Sequence, residues 1–284
     1  MKILILGDLH GSIPEIHLKD FDAIIATGDF CPYDKLREYE FKAIKEKMKN
    51  PDSKKKWYEI SGKKRARALT KEYMSKGRDV QKYLNSIGVP VYIIPGNTDF
   101  ASEEDDWKFL KQDKFKKLTK GLKNVLNVDH KLVDIGDYQI IGYGVSSGPE
   151  KPKYKEDLKR MTKDNIEKKE AKYKTESLKL SLLFKKATKP VIFLSHNVPF
   201  NTPIDKITNK ESPRYGYHYG SLIAREMIEK YKPLVCIGGH MHEHFDKCKI
   251  GKTVCINAGF GPKLNILMDL EGNKINKLEF YKWK

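Results

Sequence analysis

Short apolar runs recur along the chain, each closed by glycine or a polar residue. Ile3-Leu4-Ile5-Leu6, Asp22-Ala23-Ile24-Ile25-Ala26-Thr27, Val89-Pro90-Val91-Tyr92-Ile93-Ile94, Val191-Ile192-Phe193-Leu194 and Leu234-Val235-Cys236-Ile237 are the clearest. Runs this short, rich in β-branched residues and without polar alternation, predict strands buried on both faces of a parallel sheet. Between the second and third runs, Leu36, Tyr39, Phe41, Ile44 and Met48 recur at helical intervals. Pro51-Asp52-Ser53 interrupts that helix, and a second one is predicted to about Leu84. Residues 101–126 begin with Glu103, Glu104, Asp105 and Asp106 and turn lysine-rich, a polarity that suits one helix and its dipole. Residues 128–145 hold two apolar runs around Gly136-Asp137, a hairpin signal. A long charged helical stretch covers 148–189, with apolar positions thin until Leu178. A helix is expected over 221–231, and β segments at 253–257, 264–269 and 274–281 close the chain. Strands alternating with helices define an α/β class.

The charge changes this picture by its location. The chain has 284 residues and a formal net charge of +17. Residues 34–83 hold 17 Lys/Arg against 8 Asp/Glu, and residues 150–189 hold 14 against 7, so these two segments carry all but one unit of the excess. The rest is nearly neutral. We therefore expect one domain over 1–284, with basic helical insertions at about 34–86 and 150–186 that act as a lid or docking surface outside the core. No apolar run approaches the about 20 residues that cross a bilayer, and no leader pattern opens the chain, which predicts a cytoplasmic protein without a membrane partner. Cys31, Cys236, Cys248 and Cys255 form no Cys-x-x-Cys pair, so neither a zinc ribbon nor a disulfide framework is signalled.

Candidate chemistry lies where the apolar runs stop. They end in Gly7-Asp8-Leu9-His10, Gly28-Asp29, Gly96-Asn97-Thr98-Asp99, Ser195-His196 and Gly239-His240-Met241-His242. Ligands of α/β sheets bind beyond the carboxyl ends of the strands. Carboxylate, amide and imidazole groups there suit divalent transition metals. Asp99 aside, the seven such donors are too many for one ion and suit two that share a carboxylate.

This ordered set resembles the calcineurin-like metallophosphoesterase family over nearly the whole chain. Tyr217-His218-Tyr219-Gly220-Ser221 followed by Arg225-Glu226-Met227-Ile228 looks like its Icc-related branch. The resemblance implies a four-layer αββα sandwich of two mixed β-sheets. It implies two divalent metal ions (manganese, iron or zinc), one held by Asp8, His10, Asp29 and His242 and the other by Asp29, Asn97, His196 and His240. The implied reaction is attack of a metal-activated hydroxide on a phosphate ester, with Asn97 and His196 acting on the developing charge and His218 as substrate contact or proton donor. Thr98 departs from the family: many members carry there the His that protonates the leaving group. Members with a small residue at this place favour phosphodiesters or activated esters, so a phosphodiesterase acting on a small phosphorylated substrate is expected. Asp99 is expected to orient its neighbours. The alternatives are a nuclease of this fold, with the basic segments on nucleic acid, and a non-enzymatic scaffold. Thr98 and the scarcity of spaced aromatics in those segments disfavour the first; the intact ligand set disfavours the second.

Overall fold

Each apolar run is buried on both faces because it separates two different cores. The computed structural model describes residues 1–50, 53, 55–101, 107–159, 161–212 and 214–284. In β1 (Lys2–Leu6), Ile3 and Ile5 enter one apolar cluster and Leu4 and Leu6 another, as the twofold repeat of a strand requires. In β2 (Ala23–Ala26) the same division puts Ile25 with Ile5 and Ile24 with Leu4.

Among the described residues the strands form two six-stranded mixed sheets. In the first, β1, β2, β3 (Val91–Ile93) and β4 (Val125–Asn127) are parallel neighbours. On the other side of β1, β11 (Leu264–Glu271) and β12 (Lys274–Lys282) pair antiparallel. The second runs β5 (Leu132–Ile135), β6 (Tyr138–Tyr143), β7 (Val191–Asn197), β8 (Val235–Gly239), β10 (Thr253–Asn257) and β9 (Asp246–Ile250). Its centre, β6 to β10, is parallel, and its edge strands are antiparallel.

The central core lies between the sheets, where Ile3, Ile5 and Ile25 meet Ile192, Leu194 and Ile237. Outside the first sheet pack α1 (Asp34–Lys49), α3 (Lys63–Ser86) and α4 (Phe115–Thr119), with the short α2 (Trp57–Ser61) between the first two. Outside the second, Leu180 and Phe184 of α6 (Lys163–Lys186) and Ile223, Met227 and Ile228 of α7 (Leu222–Tyr231) cover Phe193 and Cys236. Two sheets face to face, each backed by helices, make the four-layer αββα sandwich. No helix among the described residues is long and apolar enough to cross a membrane.

Three expectations need correction. The segment 34–86 does not stay outside the core: in α3, Leu69, Tyr73, Val80 and Leu84 pack on Leu4, Leu6 and Ile24. Only α1 and α2 remain decorative in part, with Phe41 and Ile44 exposed. In the second segment, α5 (Lys155–Lys159) buries nothing, whereas the last two turns of α6 belong to the core. Residues 101–126 do not form one helix: α4 spans five residues and the chain then enters β4; the acidic residues 103–106 lie outside the described residues. The edge strand β9, Asp-Lys-Cys-Lys-Ile, carries no apolar pattern because it is largely exposed, as edge strands that resist pairing with other chains commonly are.

Candidate metal centre

The loops that leave β1, β2 and β3 in one sheet meet the carboxyl ends of β7 and β8 in the other. There Asp8, His10, Asp29 and His242 each offer a ligand atom within 4.8 Å of the others, and so do Asp29, His196 and His240. Asp29 belongs to both groups. Its Oδ2 lies 3.6 Å from His10 Nε2 and 3.6 Å from His196 Nε2. Asn97 Oδ1 lies 2.9 Å from His196 Nε2. All seven residues expected as ligands are thus brought together.

The surrounding hydrogen bonds fix which atoms face inward. His196 Nδ1 donates to the Thr27 carbonyl at 2.8 Å, and His10 Nδ1 donates to the Cys31 carbonyl at 3.1 Å. A neutral imidazole with one nitrogen so used presents a bare lone pair at the other. His196 Nε2 therefore faces Asn97 Oδ1 and Asp29 Oδ2, acceptor against acceptors. His10 Nε2 also faces His242 Nε2 at 3.3 Å, and His242 Nε2 in turn lies 3.1 Å from Asp8 Oδ2. Lone pairs converging in this way call for positive charge between them, so the donor set fits divalent cations.

The two carboxylates also impose a negative potential on the site. Burial pushes the Asp8 carboxyl up, but the hydrogen bond from His242 and the nearby His196, His242 and His10 hold it at about 2. Burial opposes protonation of His196, yet Asp29 and Asp8 outweigh it and raise its pKa. His240 is pushed down to about 4 by burial and by His196.

Backbone geometry is tightly constrained here. His10, Asp29 and His240 have φ of 43°, 52° and 65°, a left-handed conformation that is costly for residues with a Cβ. The His240 N–H donates to Asp8 Oδ2 at 2.8 Å and helps to hold its turn. Glycine is required where the chains cross. A Cβ on Gly96 would lie 2.0 Å from Asp29 Oδ1, and one on Gly239 2.4 Å from Asp8 Oδ1.

A model of the calcineurin-like phosphoesterases matches residues 1–244. The chain belongs to the calcineurin-like phosphoesterases. It is accordingly a hydrolase acting on phosphate esters. Two solved structures illustrate the fold of this phosphoesterase. One crystal structure has a TM-score of 0.67 at 14% identity, covering 100% of this chain and 99% of its own. Another, of a protein from Thermus thermophilus, has a TM-score of 0.53 at 15% identity, covering 99% and 98%. At such identities the likeness is one of fold. No curated protein matches the sequence.

His218, the remaining predicted site residue of the phosphoesterase, lies outside both ligand groups. Its Nδ1 donates to Asp205 Oδ1 at 2.7 Å. Asp205 is fully buried and also accepts from the N–H groups of Asn201, Thr202 and Gly220. The next residue, Tyr219, accepts through its carbonyl from Asn197 Nδ2, beside His196. His244 turns away to the Lys206 carbonyl. Asp99 accepts from the N–H groups of Phe30, Cys31 and Gly96, fixing the turn that carries Asp29; burial and the neighbouring Asp29 push its pKa up to about 7.

Three contributors were not anticipated. Thr27 donates through its hydroxyl to Asp8 Oδ1 at 3.1 Å while its carbonyl holds His196. Phe260 stacks on His242, with ring centroids 4.4 Å apart and planes at 12°. The signal for Phe260 was a sixth strand end, Gly259-Phe260-Gly261 after β10. Thr98, read from its type as a lost acid, is the third.

Proposed function

We propose that this phosphoesterase uses a dinuclear metal centre to hydrolyse small phosphodiesters, with monoesters the poorer substrates. The observation that carries this is the position of Asp29 Oδ2, equally distant from His10 and His196 on either side. Asp8, His10, Asp29 and His242 would hold one ion, and Asp29, Asn97, His196 and His240 the other. Two divalent ions (manganese, iron or zinc) supply positive charge for the phosphoryl oxygens and make a water acidic enough to act as nucleophile near neutral pH.

The protein's own residues do the rest. Asp8 and Asp29 leave the doubly loaded centre net positive, which favours an anionic ester. Asn97 keeps its amide nitrogen for a phosphoryl oxygen. Thr98 does not serve as the leaving-group acid, since its hydroxyl lies 2.9 Å from Asp29 Oδ1 and 3.2 Å from the Cys31 carbonyl. The fully buried Asp205 accepts from His218 Nδ1 and orients the ring, so that Nε2 of the doubly protonated imidazolium would be the proton donor, the same logic by which a carboxylate positions a catalytic imidazole elsewhere. The preference for diesters rests on the resemblance to members with a small residue at the place of Thr98.

Turnover of bis(p-nitrophenyl) phosphate and p-nitrophenyl phosphate by metal-loaded protein in oxygen-18 water tests this. Label in the phosphorus product and faster diester turnover are expected. Label in the alcohol alone would contradict attack at phosphorus, and faster monoester turnover would contradict the preference.

A further inference from the structure

Beside the metal centre lies a cavity of about 130 Å³. Water occupies about 30 Å³ per molecule in the liquid, so the space suits one ring of a ligand. Asn97 and Thr98 line it on the side of the centre. Leu36 of α1, Trp57 of α2, Phe100 and Leu110 supply apolar walls, and among the described residues Glu40 of α1 is the one charged group of the lining. α1 and α2 belong to the basic segment between the Asp29 and Asn97 signatures, so these walls are additions to the strand-end site.

Glu40 is oriented rather than free. The Tyr33 hydroxyl donates to its Oε2, and the Tyr33 ring stacks on His10 with centroids 6.3 Å apart. Among the described residues nothing donates to Glu40 Oε1. Burial raises the pKa of this carboxyl despite the Tyr33 hydrogen bond. Among the described residues the cavity therefore offers aromatic and aliphatic faces with one carboxylate acceptor, in a chain otherwise rich in cations. A second anionic group of a substrate would be repelled here. A flat ring that donates a hydrogen bond would be held.

Resting on the phosphoesterase reading above, we infer that this cavity receives a nucleobase carrying an amino group, making the substrate a nucleotide ester. The base packs against Trp57 and Phe100, its amino group donates to Glu40 Oε1, and its phosphate reaches the centre past Asn97. Uracil fits less well, because its ring N–H is flanked by carbonyl oxygens that the carboxylate repels.

Cytidine and uridine differ at this edge by an amino group in place of an oxygen and by the ring N–H that only uridine carries, and neither carries a phosphate to be hydrolysed. Each is titrated into the manganese-loaded full chain and followed by tryptophan fluorescence. Trp57→Phe assigns the signal among the three tryptophans. Cytidine is expected to bind about tenfold more tightly than uridine, the worth of a hydrogen bond to a charged group. Glu40→Gln is expected to remove the difference. Absence of saturable cytidine binding, equal affinities in the wild type, or a signal indifferent to Trp57→Phe overturns the inference. The wild-type ratio decides even if Glu40→Gln does not fold. Turnover of p-nitrophenyl esters, which carry no base, scores the phosphoesterase reading separately.

Discussion

Thr98 holds Asp29 by two hydrogen bonds to the same oxygen. Its N–H and its hydroxyl reach Asp29 Oδ1 at 2.8 Å and 2.9 Å. Oδ1 is thereby occupied, and Oδ2 is turned toward His10 and His196. The residue that departs from the family pattern thus orients the carboxylate proposed to be shared. Groups that orient metal ligands in this way typically govern affinity by roughly 10–100-fold. Thr98→Val, which keeps the shape and removes the hydroxyl, is expected to weaken metal binding by that order, and Thr98→Ser to restore most of it. Competition against a chelator of known affinity measures this.

A proton donor matters in proportion to how badly the leaving group needs the proton. His218→Ala is therefore expected to slow hydrolysis of an alkyl phosphate ester by about 100-fold or more, and that of a p-nitrophenyl ester by far less. Equal losses on the two esters would assign His218 to binding or folding. Asp205→Asn is expected to follow His218→Ala in sign, since Asp205 orients the ring.

The second basic segment is anchored by a histidine between two carboxylates. His130 lies 2.9 Å from Asp129 and 2.7 Å from Glu176 of α6. Burial lowers the His130 pKa, but the two carboxylates outweigh it and raise it to about 9. The hydrogen bond with His130 outweighs burial, which acts in the opposite direction, and holds Glu176 at about 2. The raised histidine contributes stability fully below its unfolded value of about 6.5, and this is lost as pH rises through 9. The lowered glutamate contributes above its unfolded value of about 4.3, and this is lost as pH falls through 2. The melting temperature gap between wild type and His130→Ala is expected to be widest near pH 5–6 and to shrink by pH 9.5. A gap independent of pH would contradict the ion pairing.

α3 is structural despite its lysines. Tyr73 is fully buried, donates to Asp34 and accepts from the N–H of Lys35. Tyr73→Ala is expected to cost about 3–5 kcal/mol by urea denaturation, whereas Lys64→Ala, on the exposed face, is expected to fall within about 0.5 kcal/mol of wild type. A neutral linker replacing residues 53–67 would remove Tyr58 and Ala66 from a buried cluster and is expected to lower stability.

The strand-end signatures were legible because each follows an apolar run buried on both faces, so that the first polar residue marks a strand tip. The two-sheet sandwich was legible only through the family resemblance, since the same runs would serve a single doubly wound sheet. α3 was misread because a sum of charges hides a stripe: Leu69, Tyr73, Val80 and Leu84 share one face while lysines and arginines cover the other. β9 was invisible because an exposed edge needs no apolar alternation. The role of Thr98 was invisible for another reason, since residue type reveals a missing acid but not two hydrogen bonds aimed at a neighbouring turn.

The most direct test of the shared-carboxylate centre is metal stoichiometry. Protein loaded separately with manganese, iron and zinc, and freed of excess ion, is measured by elemental analysis beside Asp29→Ala and Asp8→Ala. Two equivalents per chain are expected for the wild type with at least one of the metals. Asp29→Ala is expected to lose both, and Asp8→Ala mainly to weaken one. One equivalent or none with every metal, or an Asp29→Ala variant that still holds two, would contradict a centre in which Asp29 joins the two groups.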